Sequence, residues 1–339
     1  MADVAVRAGV SGQTVSRVVN RSPRVDPATR RRVEAAMADL GYRPHRAARA
    51  LRTGRSQTIG LIVSTLATVG NSRMLQAVSD AAASRGLALV VVTVSGRADG
   101  GVAGAFERLG DQGVDGAIVL NEATLLARGV VPPVGLRLVV VDTPVPHPRA
   151  SSGGPGATAA DGSASGTRGT AVQTDHATGA RLAIEHLFAL GHTRIRHLAG
   201  PSTSFAAAER ERGWREALAG AGLKVVEPLR GEWTSSAGFR AAGMLDADAT
   251  AVFCANDQMA LGMLRGLAER GLDVPGRVSV VGFDDVSDAR DFRPPLTTVR
   301  QDFDALGEAA VAALADDASG APAIIPVRLI ERASTGPVP

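Results

Sequence analysis

Cysteine, lysine and aromatic side chains are all scarce in this chain, and each scarcity excludes something. The one cysteine, Cys254, rules out an intrachain disulfide and points to a reducing compartment, the cytoplasm. No uncharged apolar run reaches the length of about 18 residues that a membrane span needs. The N-terminus lacks an apolar stretch followed by a cleavage site, so neither secretion nor a periplasmic location is expected. The histidines are scattered without metal-ligand spacing, and there is no nucleophile elbow and no phosphate-cradling Walker loop. No metal, no cofactor and no catalytic residue is therefore expected. Aromatics are 3% of the residues, so each tryptophan matters individually.

What is present is a chain of 339 residues, 45% of them hydrophobic, which suits a small module joined to a two-lobed domain. The net charge of +3 hides an asymmetry. Residues 1–56 hold twelve arginines against Asp3, Asp26, Glu34 and Asp39, a charge of +8, which leaves −5 for the remainder. A basic head on an acidic body is the footprint of nucleic-acid binding.

The head has internal order. Residues 2–8 read as a short helix that Gly9-Val10-Ser11 breaks, and Ser11 can cap a second helix at about 12–20. Val15, Val18 and Val19 recur at helical spacing and face a core, which leaves Gln13, Thr14, Arg17 and Asn20 on the other faces. Two short helices joined by a glycine-containing turn make a helix-turn-helix. Gln pairs with adenine and Arg with guanine in the major groove, while Thr14, Ser16 and Asn20 can hold phosphates. A third helix at about 27–40 is capped by Asp26, opened by Pro27 and ended by Gly41.

The stretches AGVSGQTVSRVVN and RVEAAMADLGYRPHRAARALRTGRSQTIGLIV resemble the LacI/GalR repressors, and the resemblance runs essentially end to end. It implies a bacterial transcriptional repressor whose headpiece, 1–44, binds a palindromic operator as part of a homodimer. Its DNA contacts would come from Ser11, Gln13, Thr14, Ser16, Arg17, Asn20 and Tyr42. The linker, 45–57, would carry a hinge helix that folds on DNA, with Ala48 in it and Leu51 wedging into the minor groove. RAARALR is too short for a stable isolated helix, which agrees with folding on a partner. The resemblance also shows two departures. Gly12 stands where members carry a base-reading side chain, and the residues that usually precede Asp3-Val4-Ala5 are absent, so the true start is expected to lie upstream.

From Thr58 onward apolar strands alternate with helices. Strands are expected at 58–64, 87–94, 116–120 and 137–142 for a first half, and at 169–175, 194–200, 249–257 and 278–285 for a second. Helices at about 176–190, 206–221, 236–245 and 257–271 separate the second set. The fold class is α/β: an all-α helix-turn-helix headpiece plus a two-lobed, doubly wound effector domain, 58–339. The resemblance makes that domain similar to periplasmic sugar-binding proteins. Between the two halves, residues 146–169 are Pro, Gly, Ser and Ala with little apolar content, a flexible insertion.

Ligand is expected in the cleft at the carboxyl ends of the strands. Asp142, Asp175 and Asp284-Asp285 place carboxylates there, suited to hydroxyl recognition. Asn256-Asp257 ends another strand, with one of the two expected to cap the next helix. Trp233 lies in a polar loop, where its ring can stack on a pyranose. Trp214 and Cys254 read as core. The resemblance, strongest to galactoside-responsive members, assigns sugar contacts to Arg210, Asn256, Asp284 and Gln301, and more weakly to Ser64 and Ser204. Ala206 stands where a hydroxyl is expected. Phe205 and Phe283 are possible aromatic additions. The implied effector is a galactoside-like inducer; a purine or phosphorylated metabolite is the alternative. A glycosidase is disfavoured because Asp284 and Asp285 are adjacent and do not flank one bond. A free solute-binding protein would need a signal peptide and no basic head. No leucine heptad tail follows the last strand, which points to a dimer rather than a tetramer. The dimer surface is expected on the flank of both lobes, including the helix MALGMLRGL, which is apolar nearly all round; packing within its own chain is the alternative.

Overall fold

The computed structural model describes residues 1–20, 22–42, 54–94, 100–126, 130, 132–133, 135–143, 170–315 and 322–338. The hinge segment with Ala48 and Leu51 and the insertion at 146–169 lie outside these residues. The chain divides into two compact units, Met1–Gln57 and Thr58–Pro339.

The first unit is three helices, α1 (Ala2–Ala8), α2 (Gly12–Val19) and α3 (Pro27–Asp39). Gly9, at φ 60°, ends α1 in the left-handed conformation that a side chain resists. The Ser11 hydroxyl accepts from the Thr14 amide at 3.1 Å, and Asp26 accepts from the Thr29 amide at 2.9 Å, so both expected caps form. Val4, Ala5, Ala8, Val15, Val18, Val33 and Ala36 close a small core among the three helices.

The second unit holds two six-stranded sheets. The first, ordered β11-β5-β4-β3-β1-β2, is built from β1 (Thr58–Val63), β2 (Ala88–Thr93), β3 (Gly116–Leu120), β4 (Arg137–Val141), β5 (Thr170–Thr174) and β11 (Ala323–Ile325). The second, ordered β12-β10-β9-β8-β6-β7, is built from β6 (Ile195–Ala199), β7 (Leu229–Arg230), β8 (Ala251–Cys254), β9 (Ser279–Asp284), β10 (Thr297–Arg300) and β12 (Arg328–Ile330). Pairings are parallel except β10 with β12. Helices α4 (Val69–Ser84), α5 (Gly101–Asp111) and α6 (Glu122–Leu126) accompany the first sheet. Helices α7 (His176–Ala189), α8 (Phe205–Gly220), α9 (Ser235–Ala242) and α10 (Asp257–Glu269) accompany the second. The last helix, α11 (Phe303–Ala315), returns to the first. Its Phe303, Leu306, Ala310, Val311 and Leu314 share a core with Ile59, Leu61, Met74 and Val78.

Two expectations are corrected here. The strand expected to open the second half, β5, hydrogen-bonds to β4 and belongs to the first sheet. The 146–169 insertion therefore interrupts one lobe rather than separating two. The chain crosses between lobes three times, after β5, after β10 and between β11 and β12. Helix α10 is also not a free apolar surface. Met259, Ala260, Met263, Leu264 and Leu267 are buried in their own lobe, and among its large apolar side chains Leu261 is the exposed one. Glycines explain the fit: a Cβ at Gly262 would fall 1.7 Å from the Ser235 carbonyl oxygen, and one at Gly238 1.9 Å from that of Met259. Backbone lies on backbone where α9 and α10 cross.

Candidate functional site: an exposed recognition helix and an interlobe cleft

On α2 the buried face is Val15 and Val18, and Gln13, Arg17 and Asn20 are exposed on the others. Thr14 and Ser16 are half-buried; Asn20 Nδ2 donates to Ser16 Oγ at 3.3 Å. Ser11 is committed to its cap and also shares a hydrogen bond with the Thr14 hydroxyl at 3.0 Å. Tyr42 packs partly against the three-helix core. Gly12 is exposed with nothing within 4 Å of a built Cβ, so the departure noted in the sequence leaves an open position on the helix.

In the second unit the carboxyl ends of both sheets face one cleft, open at its mouth, the place where two-lobed α/β domains hold small molecules. Asp142, Ser204, Arg210, Trp233, Asn256, Asp284 and Gln301 all line it, together with Ala206. The expected set is brought together from both lobes. Ser64 stands apart from the lining, its hydroxyl 3.5 Å from Glu122 Oε2. Phe283 is fully buried beneath the Arg210 guanidinium, 3.8 Å from its ring centroid, and Phe205 lies edge-on to His176; neither lines the cleft. Asp175 caps α7 by accepting from the Thr178 amide at 3.1 Å, and Asp285 holds Arg300 and Arg332 at 2.5 and 2.6 Å. These two carboxylates are structural, because a helix end and neighbouring arginines compete for strand-end acids. Asn256 does both jobs: its Oδ1 caps α10 through the Met259 amide at 2.9 Å, and its Nδ2 donates to the Trp233 carbonyl at 3.1 Å.

Arg210 is the centre of the charge network. It is 4% exposed, donates to the Ala255 carbonyl, lies 3.5 Å from Asp284 Oδ1 and donates from Nε to His176 Nδ1 at 3.4 Å. His176 then reaches Asp142 with Nε2, 3.1 Å from Oδ1. One relay thus joins Asp142 on the first lobe to Arg210 and Asp284 on the second. Burial alone would raise the Asp142 pKa, but His176 and the Thr174 amide, 3.1 Å from Oδ1, bring it below the ordinary carboxylate range. Asp284 is pushed up by burial against the opposing pull of Arg210 and of Gln301, whose Nε2 donates at 2.6 Å. Trp233 is held on three sides: Gly200 leaves the space its ring fills, Asn256 bonds its carbonyl, and its Nε1 donates to Glu122 Oε1 at 3.2 Å. Asn121, Asp142, Trp233, Asp284 and Asp285 are five of the six non-glycine residues with positive φ among the described residues. Strained backbone gathers at the cleft, as it does at sites that must hold side chains in fixed directions.

Sequence reasoning missed His176, Glu122, Asn71, Asn121 and the apolar wall of Met74, Phe303 and Leu306. Asn121-Glu122 follows β3 directly, so the strand-end rule that selected Asp142 would have reached them. His176 had the same signal, one residue beyond β5. The apolar wall had none, because α11 returns from the other lobe.

Trp214 and Cys254 are fully buried, and burial pushes the Cys254 thiol up. Asp257 lies under β9, accepting from the Val286 amide at 2.8 Å and the Thr298 hydroxyl at 2.5 Å. Burial first, and Asp284 second, hold its pKa well above the carboxylate range. A carboxyl whose folded pKa is raised contributes stability that is complete below its unfolded pKa and lost as pH rises toward the folded one. Asp257→Asn is therefore expected to raise the melting temperature at pH 8 by a few degrees, with the gap to the wild-type protein closing near pH 4. Parallel melting curves across that range would contradict it.

Residues 1–45 match the family described as bacterial regulatory proteins, lacI family, and residues 184–335 match a periplasmic binding protein-like domain. The lactose operon repressor of Escherichia coli (strain K12) is 36% identical over 98% of this chain and 89% of its own length. The transcriptional regulator CelR of Thermobifida fusca is 36% identical over 96% of this chain and 94% of its own. A lac repressor dimer solved with operator and the anti-inducer ONPF superposes with a TM-score of 0.82 at 34% identity, covering 98% of both chains. With a helix-turn-helix in the first unit, an interlobe cleft in the second and relatives matched over nearly the whole length, the chain belongs to the LacI family of bacterial transcriptional regulators and is not an enzyme.

Proposed function

We propose that this protein is a cytoplasmic, homodimeric repressor that grips a palindromic operator through α2 and releases it when an uncharged pyranoside, galactoside-like, enters the cleft as inducer. The observation that carries the reading is the cleft itself. Arg210, Asn256, Gln301, Asp142 and Asp284 supply donors and acceptors for adjacent hydroxyls, and Trp233 supplies a flat apolar wall. The sugar class is further supported by relatives solved with ONPG and with cellobiose. For the dimer, the lac repressor dimer is the support, and the edge strand β2, with Val91 exposed, offers a flank. Ligand would act by favouring one arrangement of the lobes, shifting the population off DNA through its differential affinity. At the DNA end, Leu51 would wedge the central base step and Arg17 would read a base.

One assay tests both ends. In gel shifts on the native operator, galactosides, glucosides and cellobiose are titrated against purified protein, with purines and sugar phosphates in parallel. A neutral glycoside should release the operator and shift tryptophan emission. Arg17→Ala should cost about 1–3 kcal/mol of operator affinity and relax one base position. Release by a purine or a phosphorylated metabolite alone would replace the sugar reading, and unchanged affinity and sequence preference in the variant would remove Arg17 from base reading.

A further inference from the structure

The charges that line the cleft do not cancel. Among the described residues that line it, three carboxylates, Glu122, Asp142 and Asp284, face one guanidinium, that of Arg210. Asp142 is answered by His176 at 3.1 Å, and Asp284 by Arg210 and Gln301 at 3.5 and 2.6 Å. Glu122 is different. Its contacts are two neutral donors, the Trp233 indole at 3.2 Å on Oε1 and the Ser64 hydroxyl at 3.5 Å on Oε2. The second is at the limit of a hydrogen bond, so Oε2 retains most of its capacity to accept. The carboxylate stands at the first turn of α6, directly after β3, on the wall opposite the one that carries Trp233.

We propose that Glu122 is the ligand-reading residue of the first lobe's wall: it accepts a hydroxyl or ammonium donor from the glycoside stacked on Trp233 and excludes glycosides that carry a carboxylate or phosphate there. This rests on the sugar reading above and deepens it. The geometry supports a coupled action. The indole that would carry the sugar's apolar face is tied through Nε1 to the same carboxylate that would take the sugar's donor, so one ligand engages both lobes at adjoining atoms. An anionic substituent in that position would meet Glu122 without a counter-cation, since Arg210 is already committed to Asp284 and the Ala255 carbonyl. Like charges at contact distance in a partly dry site repel strongly.

The test uses the full-length protein and matched probes: methyl β-galactoside, the methyl glycoside of galacturonic acid, galactosamine and galactose 6-phosphate. Affinities are read by calorimetry and indole emission. In the wild-type protein the two anionic probes should bind at least about tenfold more weakly than methyl β-galactoside, and galactosamine no more weakly than about threefold. Glu122→Gln keeps an acceptor for the indole and removes the charge, so the tenfold gap should close to within about threefold. An anionic probe that binds wild-type protein as tightly as the neutral one overturns the assignment, and so does a gap that Glu122→Gln leaves unchanged. If all four probes fail while cellobiose or a glucoside releases operator, the galactose class falls and the same comparison is made with the glucose-configured uronide and phosphate. The empty protein gives an independent reading. Glu122→Gln should shift indole emission, because the charge beside Nε1 is lost, and identical spectra would overturn the contact on which the proposal stands.

Discussion

Arg210→Ala should abolish the response to ligand while leaving operator affinity unchanged. Among the described residues the guanidinium is the one arginine or lysine head group that lines the cleft, and its removal strips three groups at once. Asp284 loses its counter-charge at 3.5 Å, the Ala255 carbonyl loses its donor, and the relay through His176 to Asp142 is cut at 3.4 Å. Breaking a buried ion pair by removing one partner costs about 3–5 kcal/mol, a large fraction of a typical domain's stability. The variant should therefore melt lower and need more than about a hundredfold more ligand for half-release. Arg210→Lys separates the two effects: it keeps the charge beside Asp284 but lacks the planar fork, so stability should largely return and ligand response should not. Operator binding belongs to a unit with its own core, and the gel shift without ligand should match the wild-type protein. Release by the same ligand concentration in both variants would remove Arg210 from recognition.

Gly262→Ala is the second large effect, and its origin is steric. A Cβ there would lie 1.7 Å from the Ser235 carbonyl oxygen and 2.7 Å from the Phe239 amide nitrogen, both backbone atoms that cannot rotate away. Helices α9 and α10 would have to part. Overpacking of this kind costs about 3 kcal/mol or more, which in a domain of this size lowers the melting temperature by roughly 6–12 °C. The damage should reach function, because Trp233 and Thr234 immediately precede α9 and move with it. Sugar affinity should fall along with stability. Gly220→Ala is the comparison: it also lies in a helix, but a Cβ there meets nothing within 4 Å, and it should be neutral or stabilising by up to about 1 kcal/mol. Equal melting of the two variants would contradict the packing described for α9 and α10.

Much of this architecture was legible because its signals are local. The Val-rich strands β2, β4 and β9 announce themselves, and Ser11 and Asp26 cap the helices they precede. Sheet membership is not local. Nothing in TAVQT tells β5 which sheet it joins, since parallel strands dominate both. Short, partly polar strands such as β10 and β12 fall below the length at which periodicity speaks. In the cleft, residues chosen for their chemistry at strand ends were brought together: Asp142, Asn256 and Asp284, with Arg210 and Trp233 from helix and loop. The same rule over-reached at Asp175 and Asp285, where a helix end and two arginines claimed the carboxylates first. It stopped short at Glu122 and His176. For α10, composition alone read as an exposed apolar surface, because glycines that admit a neighbouring backbone leave the same pattern as a face awaiting a partner subunit.

The threefold passage of the chain between lobes also bears on how such a protein can be cut and recombined. Neither lobe is a contiguous stretch: the first needs β5, α11 and β11, and the last two are encoded after most of the second. A gene fragment ending after β4 would leave the first sheet without β5 and β11 and its core without α11, and one beginning at β6 would carry α11 and β11 away from the sheet they complete. Exchange of effector specificity with another member of the family therefore has to transplant the whole of residues 58–339, whereas the headpiece, closed around its own core, can be exchanged as a single block.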